Sequence, residues 1–153
     1  SEEKKMDNVS KAVQYYEKGY MCSQAVFAAF AEQFGITEKQ AFQIGACFGG
    51  RMCKGEVCGA CTGALMVLGM KYGQFDLNDT ASRAKGRDMA VKFLDEFEKR
   101  KGSYICRDLL GCDLRNEEDR NKARSNGLFR TLCPKMVRTA AEILTEILGG
   151  DEE

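Results

Sequence analysis

The sequence predicts an all-α fold, a single bundle of about six to eight helices with a glycine-rich loop ahead of a buried central helix. Three observations carry that expectation. Apolar residues recur at helical spacing along nearly the whole chain, no stretch sustains the alternation that strands need, and glycines or capping residues fall between the periodic segments.

Val9, Val13 and Tyr16 mark a first helix over about residues 7–18, which Gly19 ends. A second, over 22–34, carries Val26, Ala29 and Phe30 and stops at Gly35. Thr37 with Gln40 forms a capping-box pattern, in which each side chain satisfies a backbone N–H of the other end of the turn, and so starts a helix over 38–46. From Gly45 to Val57, through Gly49, Gly50 and Gly55, the chain reads as its one long irregular stretch.

That loop leads into a helix over 58–72. From Cys58 to Met70 it is apolar or small on nearly every side, the mark of a helix in the middle of a bundle. Gly59, Gly63 and Gly69 would let neighbouring helices come close. A long helix over 79–101 carries Ala90, Phe93, Leu94 and Phe97. Gly102, Gly111 and Gly127 then divide the rest into helices over 104–110, 117–125 and 134–148, the last with Val137, Ala141, Leu144 and Leu148. Met66, Met70, Phe93 and Phe97 are expected in the core, and the run from Asn116 to Arg124 on a solvated face. One domain is expected over 1–153, with flexible ends at 1–6 and 149–153.

The chain has 153 residues, enough to bury a core without disulfide staples, so its eight cysteines call for another explanation. Lys plus Arg and Asp plus Glu both number 23, which leaves no net field to draw nucleic acid or an anionic membrane. No histidine is present, and this excludes Ser-His-Asp and Cys-His catalysis, His-ligated zinc and His-ligated haem. The longest uncharged run, Val57 to Met70, is shorter than the roughly 20 residues that span a bilayer. Ser1 to Lys5 does not open a secretory signal. A cytoplasmic protein is expected, in a compartment where clustered cysteines more often bind metal or carry redox chemistry than brace a fold.

Cys22, Cys58, Cys106 and Cys133 all fall at the first turn or cap of an expected helix; Cys133, followed by Pro134, reads as an N-cap. Helix N-termini offer unpaired backbone N–H groups and partial positive charge, which lower a thiol's pKa and ready it to bind metal or react. The plainer reading is that these are small apolar residues in a packed core.

Cys58 and Cys61 form a C-x-x-C at a helix mouth, the arrangement by which dithiol oxidoreductases activate one thiol and keep a resolving thiol beside it. With Cys53 the spacing becomes C-x4-C-x2-C, that of plant-type [2Fe–2S] ligands, although here it runs into a helix. Cys47 and Cys53 flank the glycine-rich loop as further candidates for resolving thiols, and Cys112 reads as incidental. The loop matches neither G-x-G-x-x-G nor G-x-x-x-x-G-K-[ST], so no nucleotide is expected.

Cys22-Ser23-Gln24-Ala25-Val26, Phe48-Gly49-Gly50, the run Cys58-Gly59-Ala60-Cys61-Thr62-Gly63-Ala64-Leu65-Met66, Cys106 to Gly111, and Cys133-Pro134 together resemble the C-GCAxxG-C-C family of redox-active proteins, from about Val9 to Leu148. The resemblance matches the family's characteristic cysteines to Cys22, Cys58, Cys106 and Cys133. Through the family's relation to the iron–sulfur domain of split-Soret cytochromes, it implies an iron–sulfur cluster or another thiolate-bound metal on those four. Haem is not implied, because the attachment motifs are missing. Cys47, Cys53, Cys61 and Cys112 depart from the common pattern.

Three functions follow as expectations. The first is a redox or electron-transfer protein with a cluster or other metal on Cys22, Cys58, Cys106 and Cys133. A metal-free thiol–disulfide oxidoreductase or sulfur carrier using Cys58 and Cys61 is the second. The third is a scaffold with structural zinc on four cysteines. The expected partner is another redox protein, and a homodimer is left open.

Overall fold

In a computed structural model the described residues are 7–49 and 54–150. They form α1 (Asn8–Glu17), α2 (Cys22–Ala31), α3 (Glu38–Gly45), α4 (Gly59–Tyr72), α5 (Thr80–Lys101), α6 (Cys106–Leu110), α7 (Glu117–Ser125), α8 (Leu128–Thr131) and α9 (Cys133–Gly150). Short 3-10 turns extend α2 over Glu32–Phe34 and α3 over Ala46–Phe48. The fold is all-α. Among the described residues the only β pairing is a single antiparallel bridge between Val57 and Ile105, and no helix is long and apolar enough to cross a membrane.

Local chemistry sets the helix ends. The Asp7 carboxylate accepts the Ser10 N–H at 2.7 Å to start α1, and Thr37 and Gln40 make the capping box that starts α3. The 22 residues of α5 run from the Asp79 cap to Gly102, whose φ of +89° is left-handed and suits a residue without Cβ. Asn116 caps α7, a mostly solvated helix that buries only Ala123.

The core is built around two helices. In α2, eight of ten residues are buried, from Ser23 and Ala25 through Ala31. Opposite it, α4 buries Gly59, Ala60, Cys61, Gly63, Ala64, Val67 and Leu68. The two meet through small residues: a Cβ on Gly63 would lie 2.7 Å from the Ser23 carbonyl oxygen and 3.3 Å from the Phe27 nitrogen. Around this pair α1, α3, α5 and α9 pack against α2 or α4. They contribute, among others, Phe93, Phe97, Ile143 and Leu144 to the core. Burying each such side chain is worth about 1.5–3 kcal/mol.

Several expectations need correction. The central position is shared by α2 and α4, because an alanine-rich helix can be buried on all sides as completely as a glycine-rich one. Within the stretch from Gly45 to Val57, Ala46–Phe48 forms a 3-10 turn and Val57 pairs with Ile105; residues 50–53 lie outside the described residues. Ile105 precedes α6 because that pairing holds it extended. The short α8, opened by Gly127, was not anticipated. Met70 is 41% exposed, since the last turn of α4 from Gly69 to Lys71 is uncovered, and nothing stands within 4 Å of a Cβ on Gly69. Gly149 and Gly150 close α9; the remaining expected ends, 1–6 and 151–153, lie outside the described residues.

Candidate redox site

The site begins where α2 and α4 start side by side. Cys22 is the first residue of α2 and is half-buried. Its position is fixed on both sides. The Met21 N–H donates to Gln24 Oε1 at 2.9 Å, and the Gln24 amide donates in turn to the Phe42 carbonyl at 3.0 Å. Ser23, with no exposed surface, donates its hydroxyl to the Gly45 carbonyl at 2.7 Å. That bond satisfies the one hydroxyl in an otherwise apolar stretch and ties the start of α2 to the end of α3.

Cys58 is the N-cap of α4. Its carbonyl accepts the N–H groups of Cys61 at 2.9 Å and Thr62 at 3.1 Å, closing the first turn. Its own N–H donates to the Tyr104 carbonyl at 2.8 Å, and the Cys106 N–H donates to the Glu56 carbonyl at 2.8 Å. These bonds flank the Val57–Ile105 bridge and hold the entry to α4 against the entry to α6. A Glu56–Arg107 ion pair at 3.0 Å reinforces the join from the surface. Cys58 is itself buried at this cap, where its side chain makes no capping hydrogen bond.

Cys61 lies one turn further along, fully buried. Burial pushes its thiol far above the ordinary range, a hydrogen bond to the Cys58 side chain adds to the shift, and the neighbouring sulfurs of Cys58 and Cys22 add further. Three sulfurs thus share one region, two on α4 and one on α2. Gly59 makes room for this, because a Cβ there would lie 3.1 Å from the Cys22 Cβ and 3.2 Å from the Ser23 nitrogen.

The remaining cysteines stand as follows. Cys106 is the first residue of α6 and packs in a small second cluster with Leu114 and Ala123, against which Cys112 also rests. Cys133 is buried as the first residue of α9. It sits one position inside the expected cap, because the Leu132 carbonyl accepts the Lys135 and Met136 N–H groups. Cys47 is exposed on the 3-10 turn after α3, and Cys53 lies outside the described residues. The structure therefore gathers Cys22, Cys58 and Cys61, joins Cys106 to Cys58 through backbone, and places Cys106 with Cys112 in the second cluster.

Ser23 and Gly63 were not singled out as site residues by sequence reasoning. A serine with small residues around it, between a cysteine and a capping glutamine, was the available signal.

No curated protein and no solved structure matches the chain. A family model described as "Putative redox-active protein (C_GCAxxG_C_C)" matches residues 20–147, and with most of its length covered the chain belongs to that family.

Proposed function

We propose that the protein is a dithiol redox protein in which Cys58 and Cys61 interconvert between two thiols and one disulfide. The observation that carries this reading is the hydrogen bond between the Cys61 and Cys58 side chains at the first turn of α4. Two thiols three residues apart at the mouth of one helix have the spacing of a dithiol pair that closes to a disulfide. Their roles differ by environment. Cys58, at the helix cap, is the attacking thiol, and Cys61, buried and protonated, is the resolving thiol. Forming the disulfide releases two electrons and two protons to an acceptor. Such a pair suits the reducing cytoplasm and a protein partner that exchanges disulfides.

A second reading places an iron–sulfur cluster or zinc on Cys22, Cys58, Cys106 and Cys133. Its support is the backbone join that sets Cys58 beside Cys106. Among the described residues, however, no three Cys, Asp or Glu side chains are gathered so as to hold a metal ion. No chemical step is derived through a metal.

The test is peptide mapping of oxidised and reduced protein, with iron, zinc and sulfide analysis on material purified without oxygen. The dithiol reading expects a reversible Cys58–Cys61 linkage and empty protein. Iron and sulfide in near-stoichiometric amounts would overturn it in favour of the cluster.

A further inference from the structure

We propose that Cys22 is the exchanging thiol through which the buried Cys58–Cys61 pair passes electrons to the disulfide of a polypeptide partner. The inference rests on the dithiol reading above and adds the route by which that pair is reached.

The route is needed because the pair is enclosed: Cys58 is 4% exposed and Cys61 has no exposed surface. Thiol–disulfide exchange requires the attacking sulfur to approach along the axis of the disulfide it breaks, so access limits the rate. A partner chain cannot bring its disulfide to a buried sulfur without opening the bundle. Cys22 differs on this point, being half-buried at the start of α2.

Cys22 is also close enough to hand the linkage inward. Its Cβ occupies the space that a Cβ on Gly59 would need, and Gly59 directly follows Cys58. Its sulfur acts on the Cys61 thiol together with that of Cys58.

Two apolar side chains stand exposed close to Cys22. Met21 is 47% exposed and Phe48 37% exposed. Met21 lies against Gly49, and the Phe48 carbonyl lies 3.7 Å from the Cβ position of Gly59. A rim of this kind receives apolar side chains flanking a partner's disulfide better than it receives a small charged disulfide.

The exchange balances in three steps. The Cys22 thiolate attacks one sulfur of the partner's disulfide, forming a mixed disulfide and releasing the partner's first thiolate. The Cys58 thiolate then attacks the Cys22 sulfur, releasing the partner's second thiolate and leaving a Cys22–Cys58 disulfide. Finally Cys61, its proton passed to a released thiolate, attacks Cys58 and frees Cys22. The partner disulfide has gained two electrons and the Cys61 proton, leaving as one thiol and one thiolate that takes its proton from water, and the Cys58–Cys61 pair is left as a disulfide.

The experiment follows Cys58–Cys61 disulfide formation by peptide mapping in the full chain. The oxidants are a disulfide-linked peptide with apolar residues beside its cysteines, glutathione disulfide, and hydrogen peroxide. Cys22→Ser is expected to slow the reaction with the peptide by roughly 100-fold, while peroxide, small enough to reach Cys58 directly, still forms the Cys58–Cys61 linkage in it. In a Cys47→Ser, Cys58→Ser double variant the peptide should remain trapped on Cys22, which also checks that the site is assembled. Equal rates for wild type and Cys22→Ser with the peptide, or no adduct on Cys22, would overturn the relay and leave the dithiol standing. A faster reaction with glutathione disulfide than with the peptide would overturn the polypeptide partner. No Cys58–Cys61 linkage with peroxide in either protein would overturn the dithiol reading itself.

Discussion

The carbonyl oxygen of Ser23 stands 2.7 Å from the place a Cβ on Gly63 would take, so α2 and α4 meet through backbone where the candidate site begins. Gly63→Ala should therefore destabilise the protein by about 1–3 kcal/mol, although alanine is the better helix former by roughly 1 kcal/mol. Urea denaturation measures this, and a variant as stable as wild type would show that the helices can separate freely.

Ser23→Ala tests the neighbouring bond. The Gly45 carbonyl is buried and would lose the hydroxyl that donates to it at 2.7 Å. An acceptor left in that state costs about 1–3 kcal/mol. The same denaturation experiment reads the loss, and a change below about 0.5 kcal/mol would mean that another donor takes over.

Cys61 makes stability depend on pH in one direction. In the unfolded chain its thiol ionises near its ordinary value of 9.0, whereas burial keeps it protonated in the folded protein. Below that pH both states hold the proton and nothing changes; above it the unfolded state alone loses the proton, and stability falls by about 1.4 kcal/mol per pH unit. Tyr15, raised to about 12 by burial and the Glu38 carboxylate, acts with the same sign. Comparing wild type with Cys61→Ala between pH 8 and about 10.5 isolates the thiol, and parallel curves would refute its burial as a protonated group.

Cys58→Ser is expected to abolish reversible disulfide formation, while Cys112→Ser should leave its rate within about twofold of wild type. Cys112 rests beside Leu114 and Ala123 in the second cluster. A comparable loss at Cys112, measured by the same peptide mapping, would show that the reacting cysteines have been misassigned.

Most of the fold was legible because its signals are local. The Thr37–Gln40 capping box and the left-handed Gly35 and Gly102 act within a turn of the chain, and the apolar stripes through Phe93 and Phe97 or Val137 and Leu144 need only helical spacing. The helix-start position of Cys22, Cys58, Cys106 and Cys133 followed from the same signals. What sequence could not give was mutual placement. That Cys61 faces Cys58 and Cys22, while Cys106 packs with Leu114, depends on how α4 is rotated against α2, and the contacts of Gly59 and Gly63 set that rotation. The pairing of Val57 with Ile105 was hidden for a related reason: a single bridge leaves no alternating pattern to detect.

That bridge also fixes when the site can assemble as the chain folds. Val57 and Ile105 are separated by the whole of α4 and α5, so joining them closes a long loop and carries an entropy cost that local helix formation does not. The α4–α5 hairpin can form early, but the N–H of Cys58 finds the Tyr104 carbonyl only once that loop is closed. A nascent chain still lacking residue 104 would hold its dithiol at an untethered helix end, more open to oxidants than in the finished protein.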